Sequence, residues 1–364
     1  MAAAPVEESG IRFTADQTQI GFAMQWPPNA TFSTDAYTEV DYLKGTTNGP
    51  TDEIVGDAPR LRLAYGRVRW NGGNDELVFG QTYTLFADLY PGQTFDGPSL
   101  ALGAIAGREP QVQYTHATAL DAGRRLTYAV SVNAPSLGVF SESTGVAQAA
   151  SVPFLHAKIG YQGDRGMQQH PGTPTQISVS GFFGRERILT LPGATRDVNA
   201  WGAAIGGVLP IASWRNGDGA DSAVLEGQVW VGQQVDGYFG GNGQGVYETT
   251  SGHVRGIRAR GGFVEGKYFF SQRLNFDALY SIDRNDLDKL VQHGTAFVID
   301  SGLFSGTNPG APGLNKGQNA NTALAYNPFG LCYVGLVWSY RKVNFNSGAV
   351  GVNNRLTLWV SSSF

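Results

Sequence analysis

The chain has 364 residues, 26 Lys and Arg against 30 Asp and Glu, a formal net charge of -4 and a mean hydropathy of -0.18. This balance gives no global attraction to nucleic acid, and no Lys/Arg block supplies a local one, so nucleic acid is not expected as a partner. No window of about 18 apolar residues suggests a membrane helix. The one cysteine, Cys332, excludes an intrachain disulfide and a cysteine metal cage.

With 50 glycines, 12% aromatic and 15% charged residues, the composition favours strands and turns. No Pro- or Ser-rich linker divides the sequence, so one domain is expected over 1–364, with an N-terminal segment at 1–10. Met1 to Pro5 has neither the basic nor the apolar run of a secretory signal. For an exported protein the expectation is that a signal has been removed.

Segments of about ten to fifteen residues alternate between polar and apolar with period two. They are 11–26, 34–45, 59–71, 75–88, 110–120, 124–134, 152–163, 175–186, 196–211, 221–237, 253–270, 273–283, 320–328, 330–344 and 351–364. In 124–134, Leu126, Tyr128, Val130 and Val132 oppose Arg125, Thr127, Ser131 and Asn133. In 154–161, Leu155, Ala157, Ile159 and Tyr161 oppose Phe154, His156 and Lys158. In 223–236, Leu225, Val229, Val231 and Val235 oppose Glu226, Gln228, Gln234 and Asp236. The last segment places Leu356, Leu358, Val360, Ser362 and Phe364 on one side. A soluble β-sandwich, barrel or β-helix also alternates, but these segments exceed the usual five or six residues of globular strands. The fold class expected is all-β, a transmembrane antiparallel β-barrel of about sixteen strands, because single-chain bacterial barrels have an even number. Fifteen segments leave one strand to be found, either missed along the chain or formed near the N-terminus.

If Phe364 ends on the periplasmic side, the connections sort into long outer loops and short inner turns. Those near 46–58, 89–109, 135–151, 238–252 and 284–319 are long and rich in Gly, Asn and Pro, and 284–319 is expected to be a large outer loop. Those at 72–74, 121–123, 271–272 and 329 are tight. The 164–174 connection is long where a short turn is expected.

In such a barrel, side-chain direction is the functional variable, because charged groups in a wet lumen decide which solutes enter. Alternation places Arg60 and Arg62 opposite Leu61, Leu63 and Tyr65, hence in the lumen; Arg125, Lys158, Arg258, Arg260, Arg341 and Arg355 fall on similarly polar faces. Converging guanidinium groups bind carboxylates bidentately and favour small anions, dicarboxylates included. The alternative role for these residues is pairing with Glu39, Asp41, Glu226, Asp236 or Asp277 across the wall. The segment Ala87 to Glu109, with Asp88, Tyr90, Gln93, Phe95 and Asp96, is a candidate to fold into the lumen; a surface loop is the alternative.

No cofactor or metal site is expected. His116, His156, His170, His253 and His293 are scattered without an HExxH string, and GGNGQG lacks the Lys-Ser/Thr of a phosphate loop. The loop acids Asp52, Glu53, Asp218 and Asp221 do not have EF-hand spacing. No local enzyme motif is present, so no enzymatic activity is expected.

FTADQTQIGFAMQW followed by YTEVDYLKG, then PRLRLAYGRVRW and LVFGQTYTLFADL, then REPQVQYT, PFLHAKIGYQG, RGIRARGGFVEGKYFF and the closing strand from Arg355 to Phe364, run in one order along nearly the whole chain. That order resembles the DcaP-like outer-membrane porins. The resemblance implies a Gram-negative outer-membrane barrel of about sixteen strands, assembled as a homotrimer and passing negatively charged small solutes by diffusion. It implies contact with outer-membrane lipid and lipopolysaccharide, and Phe364 resembles the terminal signal read by the outer-membrane assembly machinery. The loop from Arg284 to Gln318 looks enlarged relative to the family, 164–174 looks inserted, and no counterpart of the family's N-terminal segment is visible. A structural or surface-assembly barrel with a loop-closed lumen is the rival function.

Overall fold

In the computed structural model the described residues are 19–29, 31–41, 59–86, 103, 107–121, 123–134, 148–163, 175–190, 194–212, 222–235, 238, 246–249, 254–286, 296–298, 314–328, 332–345 and 348–362. Their strands are β1 (Gln19–Gln25), β2 (Phe32–Asp41), β3 (Arg60–Trp70), β4 (Asp75–Tyr83), β5 (Arg108–Ala119), β6 (Arg125–Asn133), β7 (Gln148–Gln162), β8 (Gln176–Thr190), β9 (Ala194–Ala212), β10 (Ser222–Gln233), β11 (Val246–Thr249), β12 (Val254–Gly256), β13 (Arg258–Phe269), β14 (Leu274–Asn285), β15 (Ala296–Val298), β16 (Leu314–Tyr326), β17 (Cys332–Phe345) and β18 (Val350–Ser362). No helix of the described residues is long and apolar enough to cross a membrane.

Fifteen strands form one antiparallel sheet in the order β1 to β10, β13, β14, β16, β17, β18, each paired with its neighbours along the chain. This meander needs no crossover, because tight turns join antiparallel neighbours directly. All fifteen expected segments overlap a strand of this sheet. The segment 253–270 proves to be two strands. Its first part, β12, pairs with β11 in a separate three-stranded sheet that also contains β15. The expected loops 238–252 and 284–319 therefore contain strands, and β16 begins inside the second one. An additional strand formed near the N-terminus would lie outside the described residues.

Two faces of opposite character run around the sheet. On one, Phe22, Val112, Val130, Leu155, Val179, Val229, Leu336, Leu356 and Leu358 are exposed, with Leu358 retaining 71% of its accessible surface. On the other, Gln111, Ser131, Asn133, His156, Ser180, Gln228, Asp277, Ser281, Asn319 and Asn321 are buried. A soluble protein reverses this arrangement, since exposed apolar surface costs roughly 25 cal/mol per Å² in water. A β-barrel wall in lipid requires it, because the closed ladder satisfies the backbone while the apolar side meets acyl chains.

The connections alternate in length about the wall. On one edge lie 42–59, 84–107, 134–147, 234–257 and 286–313, with the short links 191–193 and 346–349. On the other lie 26–31, 71–74, 120–124, 270–273 and 327–331, with the longer 163–175 and 213–221. The first edge is the outer one if the chain ends at the periplasm. The tight turns have local causes. Asn29 Oδ1 accepts from the backbone N–H groups of Thr31 and Phe32 at 2.8 and 2.7 Å, and Ser271 Oγ accepts from Arg273 and Leu274 at 3.2 and 3.1 Å.

Candidate functional site

The inward face begins with β2 and β3. Asp35 pairs in register with Arg67, Tyr37 with Tyr65 and Glu39 with Leu63, all on the side shared with buried Val78. Between Glu39 and Val40 the register shifts, so Arg62 is an extra residue in β3. A bulge of this kind interrupts alternation. Consequently Leu63 and Tyr65 face inward with Arg62, not opposite it as strict alternation suggests, and Leu61 alone is turned outward, at 47% exposure. Arg62 lies 2.9 Å from Glu39 and 3.4 Å from Asp41. Arg60 falls opposite Asp41 in the same ladder.

Further along β3, Arg67 makes a two-pronged contact with Asp35, Nη2 to Oδ2 at 2.8 Å and Nε to Oδ1 at 3.0 Å. Arg69 bridges Asp35 at 3.0 Å and Glu76 at 2.9 Å. Sequence reasoning missed Arg67, Arg69, Asp35 and Glu76. Their signal was the RVRW run, in which the arginines alternate with Val68 and Trp70.

Arg125 and Lys158 face inward as expected, on the side of Ser131, Asn133 and His156. Arg125 Nε donates to the side-chain oxygen of Gln162, its cross-strand partner. Arg341 and Arg355 share the inward face with Asn319 and Ser339, and Arg355 Nε donates to Thr357 Oγ1 at 3.0 Å. Arg258 and Arg260 are different. Arg260 is in register with Val231 and Arg284, and shares its face with Val264, which is 45% exposed. Both arginines therefore point outward, correcting the lumen assignment. The phase misread in β13 has a cause: Phe263 is apolar yet inward and 5% exposed, and Gly261 and Gly262 carry no side chain to fix the phase.

Among the expected acids, Glu39, Asp41, Glu226 and Asp277 face inward. Glu226 and Glu265 are cross-strand partners, as are Lys267 and Asp277. Lys267 Nζ lies 3.1 Å from Glu226 and 3.7 Å from Glu265, so one ammonium stands among three carboxylates. Asp236, Phe364 and the side chain of Arg60 lie outside the described residues. The expected strand 221–237 also ends early. Gln234 has φ 58, and Val235, expected on the outward face, turns into the barrel with 0% exposure.

Most of the segment Ala87 to Glu109 lies outside the described residues, but Phe86 just before it and Gly103 within it are described, and both lie on the inward side. Phe86, just past β4, packs against Phe182 of β8 at 4.7 Å and Tyr238 at 5.1 Å. A Cβ on Gly202 of β9 would lie 2.6 Å from the Phe86 ring, so this approach needs glycine there. At the far end, the Gly103 carbonyl accepts from Trp230 Nε1 of β10 at 2.8 Å. Gly103 has φ +78, and a Cβ would meet Gly262 oxygen and Ile282 nitrogen at 2.6 Å. Phe86 and Gly103 thus stand against β8, β9, β10, β13 and β14 from inside. Strands that are not ladder neighbours share these contacts because the sheet curls round them.

Below Phe86 a buried polar group closes the cluster. Tyr238 hydroxyl and His156 Nε2 are 3.3 Å apart, and Asn133 Nδ2 donates to Glu109 Oε2 at 2.8 Å. His156 Nε2 lies 3.6 Å from the same Glu109 oxygen. Among the described residues no group of three His, Cys, Asp or Glu side chains could hold a metal ion.

No family model matches the chain, and no curated protein matches it. Solved structures do. The outer membrane channel DcaP of Acinetobacter baumannii matches with TM-score 0.71 at 21% identity, covering 96% of this chain and 86% of that one. Salmonella typhi OmpF, in complex with daunomycin, matches with TM-score 0.57 at 14% identity, covering 98% and 93%. Pseudomonas putida OprB matches with TM-score 0.53 at 12% identity, covering 97% and 90%. At these identities the likeness is one of fold, and with the reversed polarity of its two faces this chain is folded as an outer-membrane porin barrel.

Proposed function

We propose that the protein is an outer-membrane porin, a water-filled channel for passive diffusion of small hydrophilic solutes. The observation that carries this reading is the polar, charged inward face enclosed by an apolar outward one. A lumen lined by Gln, Asn, Ser and paired charges conducts hydrated solutes and needs no nucleophile or proton relay. Phe86 and Gly103, both inside the wall, narrow the passage in this reading.

Anionic solutes, dicarboxylates included, are the preferred cargo in this reading. Arg125, Lys158, Arg341 and Arg355 face the lumen from β6, β7, β17 and β18 and bring four cations to its wall. A homotrimer delivered by the outer-membrane assembly machinery completes the proposal. Purified protein in planar bilayers tests it. Discrete conductance steps are expected, with a reversal potential under a salt gradient of the sign set by anions. Absence of steps would overturn the channel in favour of a structural barrel whose lumen is closed, a reading to which the Phe86, Phe154, Phe182 and Tyr238 cluster lends support. Cation preference would overturn the anion clause alone.

A further inference from the structure

The outer connection 234–257 begins by turning into the barrel. Gln234 stands in the left-handed region at φ 58, where few residues other than glycine rest. Two contacts hold it there: its side-chain amide donates to Glu186 Oε2 of β8 at 3.2 Å, and its backbone N–H donates to the Ile257 carbonyl at 3.4 Å. Backbone strain of this kind persists only where the surroundings fix it. The turn buries Val235 against Gly232, where a Cβ would lie 2.5 Å from the valine side chain. It also sends Tyr238 inward. The Tyr238 ring stands 5.1 Å from Phe86 and 4.9 Å from Phe182, and its hydroxyl 3.3 Å from His156 Nε2. A Cβ on Gly107 would meet the same ring at 2.6 Å, and the Gly107 carbonyl accepts from Thr84 N–H at 2.9 Å. Tyr238 therefore sits against residues from both ends of connection 84–107.

The same connection carries β11 and β12, while β15 belongs to 286–313, so the small outer sheet joins two outer connections. That sheet is tied to the turn at Gln234. β12 runs into Gly256 and Ile257: a Cβ on Gly256 would meet the Gln233 side chain at 2.8 Å, and Ile257 supplies the carbonyl that Gln234 reaches. The foot of 286–313 is tied at the same place, since Asp286 N–H donates to the Arg258 carbonyl at 2.9 Å. β15 is only three residues long, so the pairing of Tyr247, Glu248 and Thr249 with Val298, Phe297 and Ala296 is a short ladder. Short exposed ladders open at far lower cost than the wall beneath them.

We propose that Tyr238 is the stopper of a gate worked from the outer connections. With β11 paired to β15 the phenol is seated among Phe86, Phe182 and His156; parting of these two strands lets connection 234–257 lift, withdraws Tyr238 and widens the passage. A ligand that holds the outer sheet in one of its two states shifts the channel between conducting levels. This regulation rests on the channel reading above, and on the orientation that places these connections outside the cell.

The parent for the test is Cys332→Ser, which removes the one cysteine of the chain. In planar bilayers it is expected to switch between two conducting levels, and a single conducting level overturns the gate. Tyr238→Ala on this background is expected to stay at the upper level, about twofold above the lower one. Switching unchanged from the parent overturns the stopper. Tyr247→Cys with Val298→Cys then locks β11 to β15, because antiparallel partners bring their Cα atoms within disulfide range. The oxidised double variant is expected to hold the lower level, and reductant to restore switching. Switching that persists with the disulfide confirmed by mass spectrometry overturns the link to the outer sheet.

Hydrogen exchange adds a readout that needs no conducting channel. Coupling is reciprocal, so Tyr238→Ala is expected to speed amide exchange over Val246–Thr249 and Ala296–Val298 about tenfold relative to the parent. Unchanged exchange there overturns the gate whether or not the protein conducts. Faster exchange in a protein that conducts in neither form leaves the coupling standing and overturns the porin reading. If Tyr238→Ala does not fold, Tyr238→Leu replaces it in both measurements, with a smaller effect expected in the same sense; no effect overturns the stopper.

Discussion

Two stretches of the inward face hold carboxylates in the wall by opposite means. Across β2, β3 and β4, Asp35, Glu39, Asp41 and Glu76 are shared among Arg62, Arg67 and Arg69, and most members touch more than one partner. Across β10, β13 and β14, Glu226, Glu265 and Asp277 are arranged round Lys267. Removing one member of a lattice leaves its neighbours partly compensated. Removing the hub strips buried carboxylates of the ammonium they share. The first wall is also half open to the lumen, with Arg67 and Arg69 side chains near 30% exposed, whereas Glu265 is fully buried. The same charges are therefore worth less in the first wall than in the second.

The largest expected effect follows from breaking the hub. Lys267→Met should lower unfolding free energy by about 3 kcal/mol, because it strips the cation from buried carboxylates. Urea denaturation in detergent micelles, followed by tryptophan fluorescence, measures it. Asp35→Ala should cost less, about 2 kcal/mol, because Arg67 and Arg69 retain Glu76. If Asp35→Ala proves the more damaging of the two in the same titration, the contrast between hub and lattice is wrong. Arg67→Lys sharpens it further. The ammonium keeps the charge and gives up the two-pronged geometry on Asp35, so a loss of about 1 kcal/mol is expected, together with an unchanged reversal potential.

The smallest effect belongs to the solvent-exposed turn pair Asp121–Arg124. The Arg124 hydrogen bond, with help from the Gly123 and Arg124 N–H groups, holds the Asp121 carboxyl below its ordinary value of 3.8. A depressed value stabilises the folded state above the unfolded pKa, and that contribution fades as pH falls through the folded one. Asp121→Asn should therefore match wild type in thermal unfolding at pH 7, with any difference between the two narrowing further below pH 4. A clear drop in melting temperature at pH 7 would mean that an exposed pair matters as much as the lattice does.

The strands were legible because each segment writes its two environments into a period of two, and that signal survives wherever side chains are large and phases clean. In β6 every outward residue is apolar and every inward one polar or small, and the assignment holds residue by residue. Three features were not legible, each for a physical reason. The β3 bulge adds Arg62 without altering the local composition, so nothing marks where the phase slips. In β13 the Gly261–Gly262 pair and inward Phe263 erase the contrast that alternation needs. The three-stranded sheet of β11, β12 and β15 depends on pairing Tyr247 with Val298 across a long stretch of sequence, which no short window contains. Whether Ala87 to Glu109 enters the lumen was one of two open readings, and most of that segment lies outside the described residues; Phe86 before it and Gly103 within it both sit against the inward face.

β8 and β9 have 15 and 19 residues, joined by only three, at 191–193. At about 3.3 Å per residue the longer strand reaches roughly 60 Å, far more than an apolar band about 25 Å tall requires even at a steep tilt. Its upper half carries Arg187 against Asp197 at 3.0 Å and Arg185 against Asn199 at 3.3 Å on the outward side, a polar ribbon stiffened by its own ladder. That ribbon is a mast. In the proposed orientation, a peptide epitope or affinity tag spliced into 191–193 would ride clear of the cell surface, where antibodies or bacteriophage could reach it, above the proposed channel.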